Sequence, residues 1–157
     1  MTHFLVLGLA LLLGMVAGLR MFTAPAVLCW AGMLGWIDLD RSWALWLGHP
    51  VTLTLFTLAA IVEMITDQLA RTRPRTALTQ FGGRLIMGGV AGALLGSTHG
   101  YTVGGIGAGI TGAALGTIAG VALKRRFAGG HPLFYGLIED AVAVLAGLSI
   151  AASVGAV

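Results

Sequence analysis

The sequence predicts an all-α fold: a polytopic transmembrane helical protein of about six membrane segments, organised around a glycine-zipper helical hairpin. Three observations lead there. Of the 157 residues, 57% are hydrophobic and only 10% are charged, against about 25% charged in a soluble domain. The apolar residues fall in six runs separated by polar stretches. From Gly88 to Gly120 every fourth residue is Gly, except Ala108. In water each glycine costs a helix interior about 1 kcal/mol relative to alanine. In lipid the backbone has to satisfy its own hydrogen bonds, so such a helix persists. Its smooth face then admits a second helix closely. A conduction path lined by bare backbone is the alternative use of the same glycines.

The first apolar segment is 4–19, ending at Arg20. No Lys or Arg precedes it, so it reads as an uncleaved helix rather than a signal peptide. A second run, Ala24–Ile37, starts with Pro25 near its first turn, a favoured place for proline. It is short against the roughly 20 residues of a full span and reads as tilted or re-entrant. Asp38 to His49 is a polar and aromatic connection, in which Trp43 and Trp46 suit an interface. Asp38 and Asp40 read as caps within it. Pro50 opens a third segment, Val51 to about Thr66. A polar loop, 67–80, carries Arg71, Arg73 and Arg75. The break at Ser97-Thr98-His99-Gly100 divides the glycine-rich stretch into helices at about 82–97 and 103–123. Lys124-Arg125-Arg126 closes the fifth segment, Gly129-Gly130-His131-Pro132 makes a turn, and the sixth runs from Leu133 to Ala156. The whole chain, 1–157, is one transmembrane domain.

Six crossings put both termini on one side. The other side then receives Arg20, Arg71, Arg73, Arg75, Arg84, Lys124, Arg125 and Arg126, and the side of the termini receives only Arg41. The positive-inside rule makes the arginine-rich side cytoplasmic. The expected location is a bacterial inner (cell) membrane, with the lipid bilayer as surroundings. The net charge of +3 fits this orientation and not nucleic-acid binding. The lone Cys29 allows no intrachain disulfide.

The same topology brings Glu63, Asp67, Glu139 and Asp140 to the arginine-rich side, together with Arg20 and Arg84. The spacing of Glu63 and Asp67 places both carboxylates on one helix face. Glu139 and Asp140 lie about two turns inside the last helix. An ionisable group within a bilayer is costly and is a functional candidate by default. Arg–acid pairing offsets part of that cost. Two pairs would leave two acids for a proton or a cation. A structural ion-pair network that fixes helix register is the competing use of the six residues. His3, His49 and His99 collect on the opposite side; three imidazoles can ligate zinc, but nothing in the sequence fixes their distance, and interfacial polar roles suit them better. Gly104-Gly105-Ile106-Gly107 has no preceding strand, so it is not a nucleotide loop.

Gly18-Leu19-Arg20 with Phe22 and Pro25, then Glu63-x-x-x-Asp67, then Arg84 before a Gly/Ala-rich helix, then His131-Pro132 and Glu139-Asp140, resembles a family of small multi-spanning bacterial membrane proteins known only as a domain of unknown function. The resemblance spans most of the chain. It implies that these acids and arginines are the motif residues and brings no established activity. Members tend to carry Lys-x-Pro after the Glu-x-x-x-Asp, where this chain has Gln68-Leu69-Ala70. There is a faint internal repeat, 1–75 and 76–157, in which Gly18-x-Arg20 echoes Gly82-x-Arg84. An odd number of segments per half would make the repeats inverted, yet inversion would send the two arginines to opposite ends of the bundle.

The leading expectation is a transporter or channel for an ion or small solute. Glu63, Asp67, Glu139 and Asp140 would bind a proton or cation, and Arg20 and Arg84 would pair with them. No cofactor is expected beyond such a cation. A homo-oligomer is expected, because a small chain encloses little and the glycine faces invite partners. The alternatives are a membrane-embedded enzyme or binding protein acting on lipid phosphate head groups, with acids holding Mg²⁺, and a structural subunit with no active site.

Overall fold

The computed structural model describes residues 2–39, 43–68, 78–127 and 132–154. Among them every regular element is helical: α1 (Thr2–Leu19), α2 (Thr23–Met33), a 3-10 turn (Leu45–Gly48), α3 (Pro50–Gln68), α4 (Leu78–Ser97), α5 (Thr102–Phe127) and α6 (Pro132–Val154). Three stretches are long and apolar enough to cross a membrane: Pro50–Gln68, Thr102–Phe127 and Phe134–Val154. His3–Leu19 and Thr23–Met33 are apolar but shorter. The expectations placed on Asp40, Arg41, Arg71, Arg73, Arg75, Gly129, Gly130 and His131 fall outside the described residues.

The second apolar run ends earlier than its hydrophobicity suggests. α2 stops at Met33, and Gly35 takes φ +72°. The Trp36 amide returns to the Ala31 carbonyl at 2.8 Å. A left-handed glycine just past the last turn is a common helix stop, and it outweighs the apolar residues that follow. Gly100, with φ +78°, makes the corresponding turn between α4 and α5.

α1, α4 and α5 pack backbone against backbone. A Cβ added at Gly92 would meet the Gly105 carbonyl, and one at Gly88 would lie 2.7 Å from the Gly109 oxygen. One at Gly112 would meet the Leu11 carbonyl, and one at Gly18 the Ala113 carbonyl. The strict every-fourth reading therefore needs correction. The turn at Gly100 resets the register, and α5 presents Gly105, Gly109, Gly112 and Gly116 to its neighbours. Their 4-3-4 spacing follows the 3.6-residue period of the helix, which a strict four-residue repeat drifts away from. Gly104 instead faces the Leu7 side chain of α1. The glycines read as a bare conduction wall are filled by neighbouring backbone. The same contacts remove the expectation that these faces stand open for another copy.

α1 runs parallel to α5, since Gly14 meets Gly109 and Gly18 meets Ala113. It runs antiparallel to α4, whose Arg84 near the start reaches Gly18 near the end of α1. α6 lies on α1 and α2, with Gly147 against Val16 and Val27. Leu13, Leu28, Leu94 and Leu95, each almost fully enclosed, fill the middle of the core. α3 stands at the edge. It touches α2, α6 and the 3-10 turn, and its one buried residue is Ala60. The ends of α1 and α3 and the starts of α2, α4 and α6 gather at one end of the bundle. At the other end Tyr101 Oη and His3 Nε2 lie 2.5 Å apart, and a cavity of about 420 Å³ is lined by Trp36, Asp38, Ser97, His99 and Val154.

Candidate functional site

The chain leaves α1 and enters α2 through a tight corner at residues 20–22. The end of a helix presents unpaired carbonyls with partial negative charge, and the start of the next presents unpaired amides with partial positive charge. Burying both requires partners. Arg84 of α4 donates Nη1–H to the Gly18 and Leu19 carbonyls, each at 2.6 Å. Thr117 of α5 donates to the Gly18 carbonyl at 3.1 Å. Glu63 of α3 accepts the Met21 amide on Oε1 at 2.7 Å and the Phe22 amide on Oε2 at 2.9 Å. Arg84 Nη2 closes the arrangement on Glu63 Oε1 at 3.4 Å. A cation thus sits on the negative helix end and an anion on the positive one.

Arg20 leaves this corner in the other direction. Its side chain is 1% exposed. Nη1 donates to Asp67 Oδ2 at 2.5 Å, and Nη2 lies 2.5 Å from Asp140 Oδ1 and 3.9 Å from Glu139 Oε2. Arg84 Nη2 also reaches Asp67 Oδ2 at 3.9 Å. Asp140 accepts a further bond from Gln68 Nε2 at 3.2 Å.

All six residues singled out from the sequence therefore meet in one buried cluster. The pairing differs from the expectation of two arginines on two acids. Arg20 alone reaches three carboxylates, because its fork presents several N–H groups in one plane. Every one of the four acids has a guanidinium nitrogen within 4 Å. Among the described residues no set of three or more His, Cys, Asp or Glu side chains is arranged to hold a metal ion. His3, His49 and His99 do not converge. His3 is on Tyr101, His49 Nδ1 accepts the Val51 amide, and His99 is on Thr98.

Beside the cluster lies a cavity of about 300 Å³, lined by Met21, Phe22, Glu63, Asp67, Gln80 and Arg84 among others. Gln80 Oε1 is enclosed there without a hydrogen-bond partner among the described residues. Sequence reasoning missed Gln80, Thr117 and the role of Gln68. Gln68 could have been found from its position directly after Asp67 at the end of the third apolar segment. Nothing in the local pattern marks Thr117 as a partner of Gly18, because 99 residues separate them.

Comparisons with protein-family models, with curated proteins and with solved structures returned no match. The site is therefore read from its own geometry.

Proposed function

We propose that this is a multi-pass membrane protein that moves an ion or small solute past the Arg20–Arg84–Glu63–Asp67–Glu139–Asp140 cluster. In this reading all six helices are membrane segments, α2 with its 11 residues reaching through about one leaflet, and the cluster lies near the cytoplasmic face of a bacterial inner membrane. One observation carries it: Glu63, Asp67 and Arg84 border a cavity of about 300 Å³ at one end of an apolar bundle, and they belong to a largely buried cluster of four carboxylates and two guanidiniums. Charges in such a place are expensive and persist where they mark ion or substrate routes or lock helices together. The route runs beside α3. The interior of α1, α4 and α5 is closed by backbone contact, and α3 is the least enclosed helix, with cavities on two of its faces.

Flux through proteoliposomes tests the proposal. Proton, Na⁺, K⁺, divalent-cation and small-anion movement would be compared for the wild type, Asp67→Asn and Gln80→Leu. Flux that vanishes in both variants while they still elute as folded protein supports it. No flux of any of these species from correctly folded wild type overturns it. Homo-oligomer formation belongs to the same proposal and now rests on the small chain and the exposed α3, since the glycines expected to mediate it are used within the chain.

A second reading is favoured by a specific observation. Glu63 and Arg84 spend five hydrogen bonds on the α1–α2 corner and on each other. A cluster that serves only as a lock would tolerate any change that preserves those bonds. Recognition of lipid phosphate is a third reading, supported only by the presence of two arginines near the same membrane face.

A further inference from the structure

A second cavity, of about 410 Å³, lies on the opposite side of α3, between α2, α3 and α6. Its lining includes Thr23, Val27, Trp30, Thr57, Ile61 and Leu148, and it continues to Leu34. The walls are almost wholly apolar. Trp30, Leu34 and Ile61 are each about half exposed, so the cavity opens to the outside of the bundle. At its cluster end sits one group that apolar packing does not explain. Thr23 is 2% exposed, and its Oγ1 has no hydrogen-bond partner among the described residues. A buried hydroxyl left without a partner forfeits the hydrogen bond it would make in water. A ligand bringing a polar atom to that spot recovers this.

The dimensions select the ligand. From Thr23 to Leu34 is eleven steps along α2, about 16 Å at the helical rise. One leaflet of hydrocarbon is about 15 Å deep, half of a bilayer core of about 30 Å. A helix of that length and about 10 Å across would fill on the order of 1,200 Å³, three times the cavity. A single hydrocarbon chain suits the space; a helix from another copy does not. Thr23 opens α2 directly after the corner at residues 20–22 at the charged end of the bundle; in the bilayer reading that is the depth at which a lipid passes from hydrocarbon to ester groups.

We propose that this cleft holds one acyl chain of a phospholipid from the leaflet at the charged end, with an ester carbonyl accepting a hydrogen bond from Thr23 Oγ1. The proposal rests on the bilayer reading of the chain and not on ion movement. The lipid is a bound component seated against α3, the helix that also borders the ion cluster.

The full chain would be reconstituted in vesicles of equal parts phosphatidylcholine and phosphatidylglycerol, containing phosphatidylcholine with a photoreactive diazirine within one acyl chain. After irradiation, labelled peptides are quantified. Peptides around Trp30 and Ile61 are expected to exceed those of the outward face of α5 (Val103, Ile110, Ile118) by about fivefold, the ratio that one ordinary hydrogen bond supplies. Thr23→Val keeps the shape, removes the hydroxyl and is expected to abolish most of that excess. Ala26→Phe fills the cleft and is expected to abolish all of it; if it does not elute as folded protein, Ile61→Trp on the rim gives the same obstruction. Equal labelling of the cleft and α5 in the wild type means annular lipid only and overturns the proposal. So does an excess that survives the filled cleft, or cross-links that join one chain to another through α2 and α3.

Discussion

α5 and α3 are both apolar helices of membrane-spanning length, yet they are held in opposite ways. α5 sits against α1 and α4 with carbonyl oxygens where side chains would otherwise be. α3 has a single buried residue, Ala60, and presents Val51, Leu55, Leu58, Val62 and Ile65 outward. Its ties are polar and lie near its far end: Glu63 on the Met21 and Phe22 amides of the α1–α2 corner, Asp67 on Arg20 and Gln68 on Asp140. One further bond, Trp30 Nε1 to Thr57 Oγ1 at 3.2 Å, joins α2 and α3. Lipid solvates an apolar side chain as well as another helix does, so hydrophobicity alone does not decide which helix is central. Small residues decide it for α5. α3 depends on its charges, and two of the three cavities, those of about 300 and 410 Å³, border it.

The contrast can be broken experimentally, and the largest effect is expected at its hinge. Arg20→Met leaves Asp67, Glu139 and Asp140 without their shared guanidinium, at a cost of about 3–5 kcal/mol. Thermal unfolding in detergent reads the loss, and recovery of part of it by Arg20→Lys assigns the effect to charge. A melting point within a degree of wild type would mean that α3 does not depend on the cluster. Next in size is Gly92→Val, which drives a branched side chain into the Gly105 carbonyl and is expected to cost about 3 kcal/mol. If it is tolerated, the close packing of α4 on α5 is not what holds α5 in place.

Glu63→Gln keeps one acceptor for the corner amides but removes the charge, and a loss of about 1–2 kcal/mol is expected. Accelerated hydrogen exchange at Met21 and Phe22, with the α5 amides unchanged, would locate that loss at the corner. Trp30→Phe removes the bond to Thr57 and is expected to cost about 1 kcal/mol. Its effect on proteolysis should be confined to α3. The smallest change sharpens the comparison from the other side. A Cβ at Gly107, on the same helix as Gly105, meets nothing within 4 Å. Gly107→Ala should therefore stabilise by about 0.5–1 kcal/mol, which an increase in melting temperature would record.

Much of the helical layout could be read directly. Six apolar runs became six helices, and the residues marked by their cost in lipid are the ones that meet. Charge inside an apolar run is visible in one dimension because it needs a partner wherever it lies. The end of α2 is not legible in the apolar run, because hydrophobicity continues to Ile37 while Gly35 turns the backbone.

Composition and local pattern determined that this chain is helical and apolar, and which side chains have to be paired. These properties belong to each segment separately: hydrophobic length, turn residues, and the price of an unpartnered charge. Tertiary structure alone decided that Arg20 spans three acids, that Arg84 and Glu63 hold the two sides of one corner, and which glycines touch which backbone. Those outcomes depend on distances of a few ångströms between residues up to 120 positions apart, as Arg20 and Asp140 are. An unpaired carbonyl at the end of α1 requires a donor, but the sequence does not say that the donor will come from α4.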